Sequence, residues 1–235
     1  MSESVAEPGK PADRPVPVPV PGAQLGDGHP VVLALFALTV VSGLVDAVSY
    51  LALGHVFAAN MTGNVVVIGF ALAGAPGFSV LGSTVALAAF LLGAGAAGRL
   101  AAGAGRWRLR AALVLEVVLH GAAAVAVFGW GTAGALQYVL VAVLALAMGL
   151  RTGTVRTLGV PDLTTTVLTM TLAGLAADSR PAGGTAPRQR RRVLAVVTMV
   201  AGAASGAALV RHGQTGWALV AAAALAGATV ALPRG

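Results

Sequence analysis

The chain has 235 residues, of which 57% are hydrophobic and only 10% charged, with a formal net charge of +7. A soluble domain carries about a quarter charged residues, so water is excluded as the solvent for most of this surface. Cysteine is absent, which excludes disulfides, thiolate metal sites and cysteine nucleophiles.

The basic balance does not point to nucleic acid as a partner. Fourteen of the fifteen cations are Arg, and most fill short gaps between apolar runs, as cytoplasmic loops of membrane proteins do. The four His (His29, His55, His120, His212) show no metal-ligand spacing. No metal or cofactor is expected.

Residues 1–30 are polar and rich in Pro (Pro15, Pro17, Pro19, Pro21) and read as a disordered cytoplasmic tail. Eight apolar segments follow, at 31–53, 56–75, 79–98, 110–129, 133–150, 163–177, 193–210 and 215–232. About 20 residues span a bilayer as a helix, and six of the eight meet that requirement. The second segment carries Asn60, Thr62, Gly63 and Asn64 in its first half. The sixth is short and carries Thr164, Thr165, Thr166, Thr169 and Thr171.

Charge decides between topologies. If all eight segments crossed, the Arg-rich loops 99–110 and 178–192 would fall on opposite sides, against the positive-inside rule. With the two polar segments broken or re-entrant, loops 99–110, 151–162 and 178–192 all face the cytoplasm, both termini are cytoplasmic, and Arg211 alone dissents. Arg151 and Arg156 are read in this scheme chiefly as positive-inside anchors, with an Asp46–Arg151 pair between the halves as the alternative. Trp107 falls at the inner interface, and Trp130, Tyr138 and Trp217 at the outer one.

The halves also resemble each other. Gly43-Leu44-Val45-Asp46, the Asn60–Asn64 segment and a Gly/Ala-rich helix (Gly93–Gly98) are followed 105 to 109 residues later by Gly149-Leu150-Arg151-Thr152, the Thr-rich segment and a second such helix (Gly202–Ala207). This predicts two repeats, 31–129 and 133–232, inverted because each has three spans, within one integral membrane domain of residues 31–232. Gly202-xxx-Gly206 and Ala94-xxx-Gly98 are small-xxx-small patterns that allow close helix approach, within the chain or in a homodimer.

Polar residues inside apolar runs carry the functional clues. Asp46 shares a small polar face with Ser42, Gly43, Ser49 and Tyr50. It reads either as a proton- or ligand-handling acid or as a structural lock between helices. Asn60-Met61-Thr62-Gly63-Asn64 reads as a solute-coordinating break or as a capped helix start at the interface. The Thr cluster is its counterpart, although Thr hydroxyls can bond back to helix carbonyls. Glu116 and His120, four apart, form a secondary polar pair that is chiefly structural.

The stretch Gly43–Ala47 through Asn60–Asn64, together with Met148-Gly149-Leu150, Thr164–Thr169 and Leu172–Asp178, resembles the YoaK family of bacterial multispanning membrane proteins (domain of unknown function 1275) over roughly residues 31–232. The resemblance implies a protein of about six helices and supplies no function. Where that family places Gln-Asn-Ala after its Met-Gly pair, this chain has Arg151-Thr152-Gly153, so any site that uses the carboxamides is altered here.

The sequence therefore predicts an all-α polytopic protein of the bacterial inner membrane, with about six spans plus two short polar helices. Its partners are lipid and a small solute. It is expected not to be an enzyme, since no nucleophile–base pair, phosphate loop or metal motif appears. The expected function is a secondary transporter or permease; the alternative is a non-transporting scaffold or regulator. The expected solute contacts are Asp46, Asn60, Thr62, Gly63, Asn64, Thr165, Thr166 and Thr169.

Overall fold

The computed structural model describes residues 25–101, 106–158, 168–186 and 188–231. Most of the expected tail (1–30) lies outside them. Among the described residues there are eight α-helices, a short 3-10 turn at Arg180–Ala182 and no strand. The helices are α1 (Pro30–Ala52), α2 (Met61–Leu72), α3 (Val80–Ala101), α4 (Arg106–Trp130), α5 (Ala135–Leu158), α6 (Leu168–Ala177), α7 (Gln189–Arg211) and α8 (Thr215–Ala231).

The protein is a polytopic helical membrane protein. Helices α1, α3, α4, α5 and α7 are long and apolar enough to cross a membrane. At 17 residues α8 sits at the lower limit of a spanning helix. Large apolar side chains point outward along these helices, with Leu92 70% and Val125 66% exposed. Water would penalise that belt and hydrocarbon does not. Several hydroxyls within the helices bond back to the preceding turn: Thr39 donates to the Leu35 carbonyl at 2.8 Å and Thr154 to that of Leu150 at 2.7 Å.

Helix directions follow from which ends meet. Val32 and Leu35 (α1), Leu113 (α4), Val155 (α5), Ala195 (α7) and Ala226 (α8) share one apolar cluster. The starts of α1, α4 and α7 thus lie with the ends of α5 and α8. Helix α1 packs along α7 and α3 along α5 as the two largest interfaces, and α4 packs on α8. Small residues permit the close approaches. A methyl group at Gly43 would collide with the Met199 carbonyl, one at Gly202 with that of Val40, one at Gly93 with that of Leu146, and one at Gly149 with that of Phe90.

The small-residue stripes differ in part from expectation. Gly202 and Gly206 pack against α1 of the same chain, but Gly98 meets nothing within 4 Å. On α3, Ala94 makes a close contact as expected, and Gly93 and Ala97 join it, against Leu146 and Gly153 of α5.

Helix α5 also runs further than expected. It continues to Leu158 rather than ending near 150, which places Arg151 and Arg156 within the helix. Arg151 is 2% exposed, so its reading as an interfacial anchor is overturned. The cause is a buried carboxylate and two acceptors on neighbouring helices, described below.

At the opposite end from the 53–59 connection, the start of α7 ties down two segments. Arg191 pairs with Asp27 at 2.9 Å, just ahead of α1, and Arg192 pairs with Asp178 at 2.7 Å, just past α6.

Candidate functional site

The connection after α1 does not leave the bundle. Gly54 (φ 84) and His55 (φ 58) adopt left-handed backbone and reverse the chain. The chain then descends beside α1 until the Ala59 amide donates to Asp46 Oδ1 at 2.7 Å. Asp46 is six residues from the end of α1, so Ala59 lies about 9 Å below that end at 1.5 Å per residue. Helix α2 starts at this depth and runs back out, its 12 residues covering about 18 Å.

The segments flanking this dip meet. His55 Nδ1 lies 3.1 Å from the Gly77 carbonyl oxygen, and the His55 ring contacts Phe78 at 6.1 Å between centroids. The chain enters and leaves at one end of the bundle.

Unwound backbone at this depth survives only if its polar groups are satisfied. Three side chains do that. Ser49 Oγ accepts from the Ala58 amide at 3.1 Å, and Asp46 accepts from Ala59. Asn64 Oδ1 accepts from the Phe57 amide at 2.9 Å while its Nδ2 donates to the Phe57 carbonyl at 2.6 Å. Asn60 caps α2, its side-chain oxygen accepting from the Gly63 amide at 3.2 Å.

Helix α6 reaches the same space from the other end. Its first residues, Leu168 and Thr169, face the same cavity as Met199 in the middle of α7. Further along, Gly174 meets the Arg192 guanidinium and Asp178 pairs with Arg192. Helix α6 thus runs outward from mid-bundle toward the start of α7. The N-termini of α2 and α6 converge at the cavity from opposite ends.

That cavity has a volume of about 510 Å³. Of the expected solute contacts it collects Asp46, Asn60, Thr62, Gly63 and Thr169. Asn64 does not line it; the side chain is fully buried and committed to Phe57. Thr165 and Thr166, with Thr164, lie outside the described residues. Thr171 is buried on α6.

A second polar cluster lies behind the cavity wall. Arg151 Nη1 donates to the Leu38 carbonyl at 2.7 Å, and Nη2 donates to Ser42 Oγ at 3.1 Å. The guanidinium also contacts Met148 Sδ and stands 3.5 Å from Glu116 Oε1, with both partners buried. At that distance the pair is ionic without a hydrogen bond, and both Glu116 oxygens lack a hydrogen-bond partner. The expected Glu116–His120 pair takes a different form. His120 Nδ1 lies 2.8 Å from the Glu116 backbone oxygen, and the Glu116 carboxylate faces Arg151 instead. Ser42 belongs both to this cluster and to the cavity lining, so it joins the two.

Two features escape a reading by residue type. One is the Arg151–Glu116 pair, for which the available signal was charge balance: Asp46 and Glu116 are the two acids within the apolar segments. The other is the aromatic lining. Tyr50, Phe57, Phe70 and Phe78 all face the cavity, from a chain with six Phe and two Tyr.

Residues 34–232 match a family described as a protein of unknown function (DUF1275). A curated relative, the UPF0700 transmembrane protein YoaK of Bacillus subtilis (strain 168), is 36% identical over 149 residues, which is 62% of this chain. The match spans 65% of that relative, just under two thirds of its length. No solved structure matches the chain.

Proposed function

We propose a transport role for this chain, which belongs to the DUF1275 family of membrane proteins. In this reading it is a secondary transporter or permease for a small solute, not an enzyme. It resides in the bacterial inner membrane with both termini cytoplasmic. The observation that carries the reading is the convergence of two short helices, by their N-termini, on one mid-bundle cavity that holds an acid. Discontinuous helices meeting at the midplane are how transporters build a site around which the protein can rock.

The register of helix packing supports an inverted repeat. The Gly43–Met199, Gly202–Val40 and Gly206–Ala47 contacts have counterparts in Gly149–Phe90, Gly93–Leu146 and Gly153–Ala97. A shift of 106 residues carries the α1 positions onto α5, and a shift of 109 carries those of α3 onto α7. Helix α2 lies on α3 as α6 lies on α7, and α1 lies on α8 as α5 lies on α4. The lengthwise α1–α7 and α3–α5 pairs run in opposite directions, so the operation relating the halves inverts them. A homodimer is not required by this reading, since Gly202 and Gly206 are occupied within the chain.

Roles follow from position. Asp46 is the coupling acid, Asn60, Thr62, Gly63 and Thr169 contact solute, and Asn64 holds the break open. The test is flux into proteoliposomes under an imposed proton gradient, with a panel of labelled amines, amino acids, sugars and carboxylates. Gradient-driven uptake of a panel member, uncoupled from protons by Asp46→Asn, is expected. Uptake that keeps its full proton dependence in the variant would refute the coupling role.

The second reading, a scaffold or regulator without flux, has one observation in its favour. Asp46, Ser49 and Asn64 spend hydrogen bonds on the unwound backbone. In that case Asp46→Asn lowers melting temperature and no panel member is taken up.

A further inference from the structure

Resting on the reading of this cavity as a solute site, the chemistry of its walls goes further and selects a class of ligand. Among the described residues that line the cavity, Asp46 is the one carboxylate. Among the described residues, no Lys or Arg lines it. The Arg151 guanidinium stands behind Ser42, 3.5 Å from Glu116, and acts electrostatically on both Glu116 and Asp46. Two carboxylates thus share one guanidinium, and of the three groups Asp46 is the one that faces the cavity.

Aromatic rings surround the same space. Phe57 stacks on Tyr50 at 4.7 Å with an interplanar angle of 26°. Tyr50 meets His55 edge-on at 5.2 Å, His55 meets Phe78 at 6.1 Å, and Phe78 meets Phe70 at 5.5 Å. The result is a continuous arc of five rings drawn from α1, α2 and both flanking segments of the dip. Half of the chain's eight Phe and Tyr residues line this one cavity. Clustering of that kind offers a cation several ring faces at once.

One feature points the other way. The N-termini of α2 and α6 carry partial positive charge, about half an elementary charge each, and would favour an anion. At α2 the Gly63 amide of the first turn is taken by the Asn60 side chain, and the Ala59 amide just ahead of the helix by Asp46, which sets a full negative charge against that end. An anion would also face Asp46 and the negative faces of the rings. A cation gains from both.

We infer that the cavity binds a small organic monocation, an amine or quaternary ammonium with apolar substituents, its charge held between Asp46 and the arc of Tyr50, Phe57, Phe70 and Phe78. A volume of about 510 Å³ falls in the range that encloses a metabolite- or drug-sized molecule.

The experiment is calorimetric titration of the full chain in nanodiscs with three probes of similar size: benzyltrimethylammonium (cationic), benzyl alcohol (neutral) and phenylacetate (anionic). Saturable binding of the cation alone is expected. Asp46→Asn, which keeps an acceptor for the Ala59 amide, should weaken it at least tenfold. Phe57→Leu should weaken it about twofold to thirtyfold, the range that loss of one cation–π contact implies. Asp46→Glu, which keeps the charge, should bind more tightly than Asp46→Asn and so separates loss of charge from loss of fold.

Preference for phenylacetate, equal affinity for benzyl alcohol, or no saturable binding up to millimolar probe would each overturn the inference. So would cation affinity within twofold of wild type in Asp46→Asn. Cation binding without flux of any solute would refute the transport reading and leave this inference standing. Flux of another solute without cation binding would do the reverse.

Discussion

Replacing Arg151 by Met tests whether a charged cluster is built into the bundle. Arg151 is 2% exposed and Glu116 fully buried, 3.5 Å apart. Removing Arg151 strands a carboxylate whose two oxygens have no hydrogen-bond partner, and breaking a buried pair in this way costs about 3–5 kcal/mol. Glu116→Leu is milder. It leaves Arg151 its acceptors on Leu38 and Ser42, so the loss should be nearer 1–3 kcal/mol, roughly that of an imperfectly satisfied buried group. The double variant removes both charges, and a cycle should return a favourable coupling of about 1–3 kcal/mol. The assay is reversible unfolding in mixed micelles, followed by tryptophan fluorescence. If Arg151→Met falls within about 0.5 kcal/mol of wild type, as an exposed substitution would, and the double variant is additive, Arg151 is an interfacial anchor after all.

Two further substitutions probe the packing and the break. Gly202→Ala and Gly93→Ala each press a methyl group onto a carbonyl of the neighbouring helix and should cost about 1–3 kcal/mol by overpacking, whereas Gly98→Ala, in open space, should be near neutral; unfolding midpoints decide. Asn64→Leu strips the Phe57 amide and carbonyl of their partners and should cost about 1–3 kcal/mol, with faster proteolysis after Phe57 as the local signature.

The apolar runs gave away the helices because lipid-facing segments are apolar on every side. Loop charge is what suggests the dips, since eight crossings would put 99–110 and 178–192 on opposite sides, against the positive-inside rule. Five of the eight expected solute contacts meet at one cavity because Asp46, Asn60–Gly63 and Thr169 are polar at membrane depth, where polarity is costly and therefore informative. Asn64 was polar for a different reason, the clamp on Phe57, and residue type alone does not separate a ligand contact from a backbone clamp. Arg151 misled because an Arg at the end of an apolar run reads as a loop anchor; its acceptors, Leu38 and Ser42, lie 113 and 109 residues away. The aromatic arc is invisible in sequence for the same reason, since Tyr50, Phe57, Phe70 and Phe78 come together only when the dip folds.

The account stands on α2 entering and leaving at one end of the bundle while α6 does so at the other. The absence of Cys makes this directly measurable, because each introduced thiol is the sole one. Single variants His55→Cys and Ala73→Cys flank α2, and Arg156→Cys and Thr185→Cys flank α6. Each is treated in intact cells with a membrane-impermeant maleimide. Labelling of both α2-flanking thiols and neither α6-flanking thiol is the predicted result. A split within either pair would make that helix a span, separate the two N-termini, and contradict the shared site.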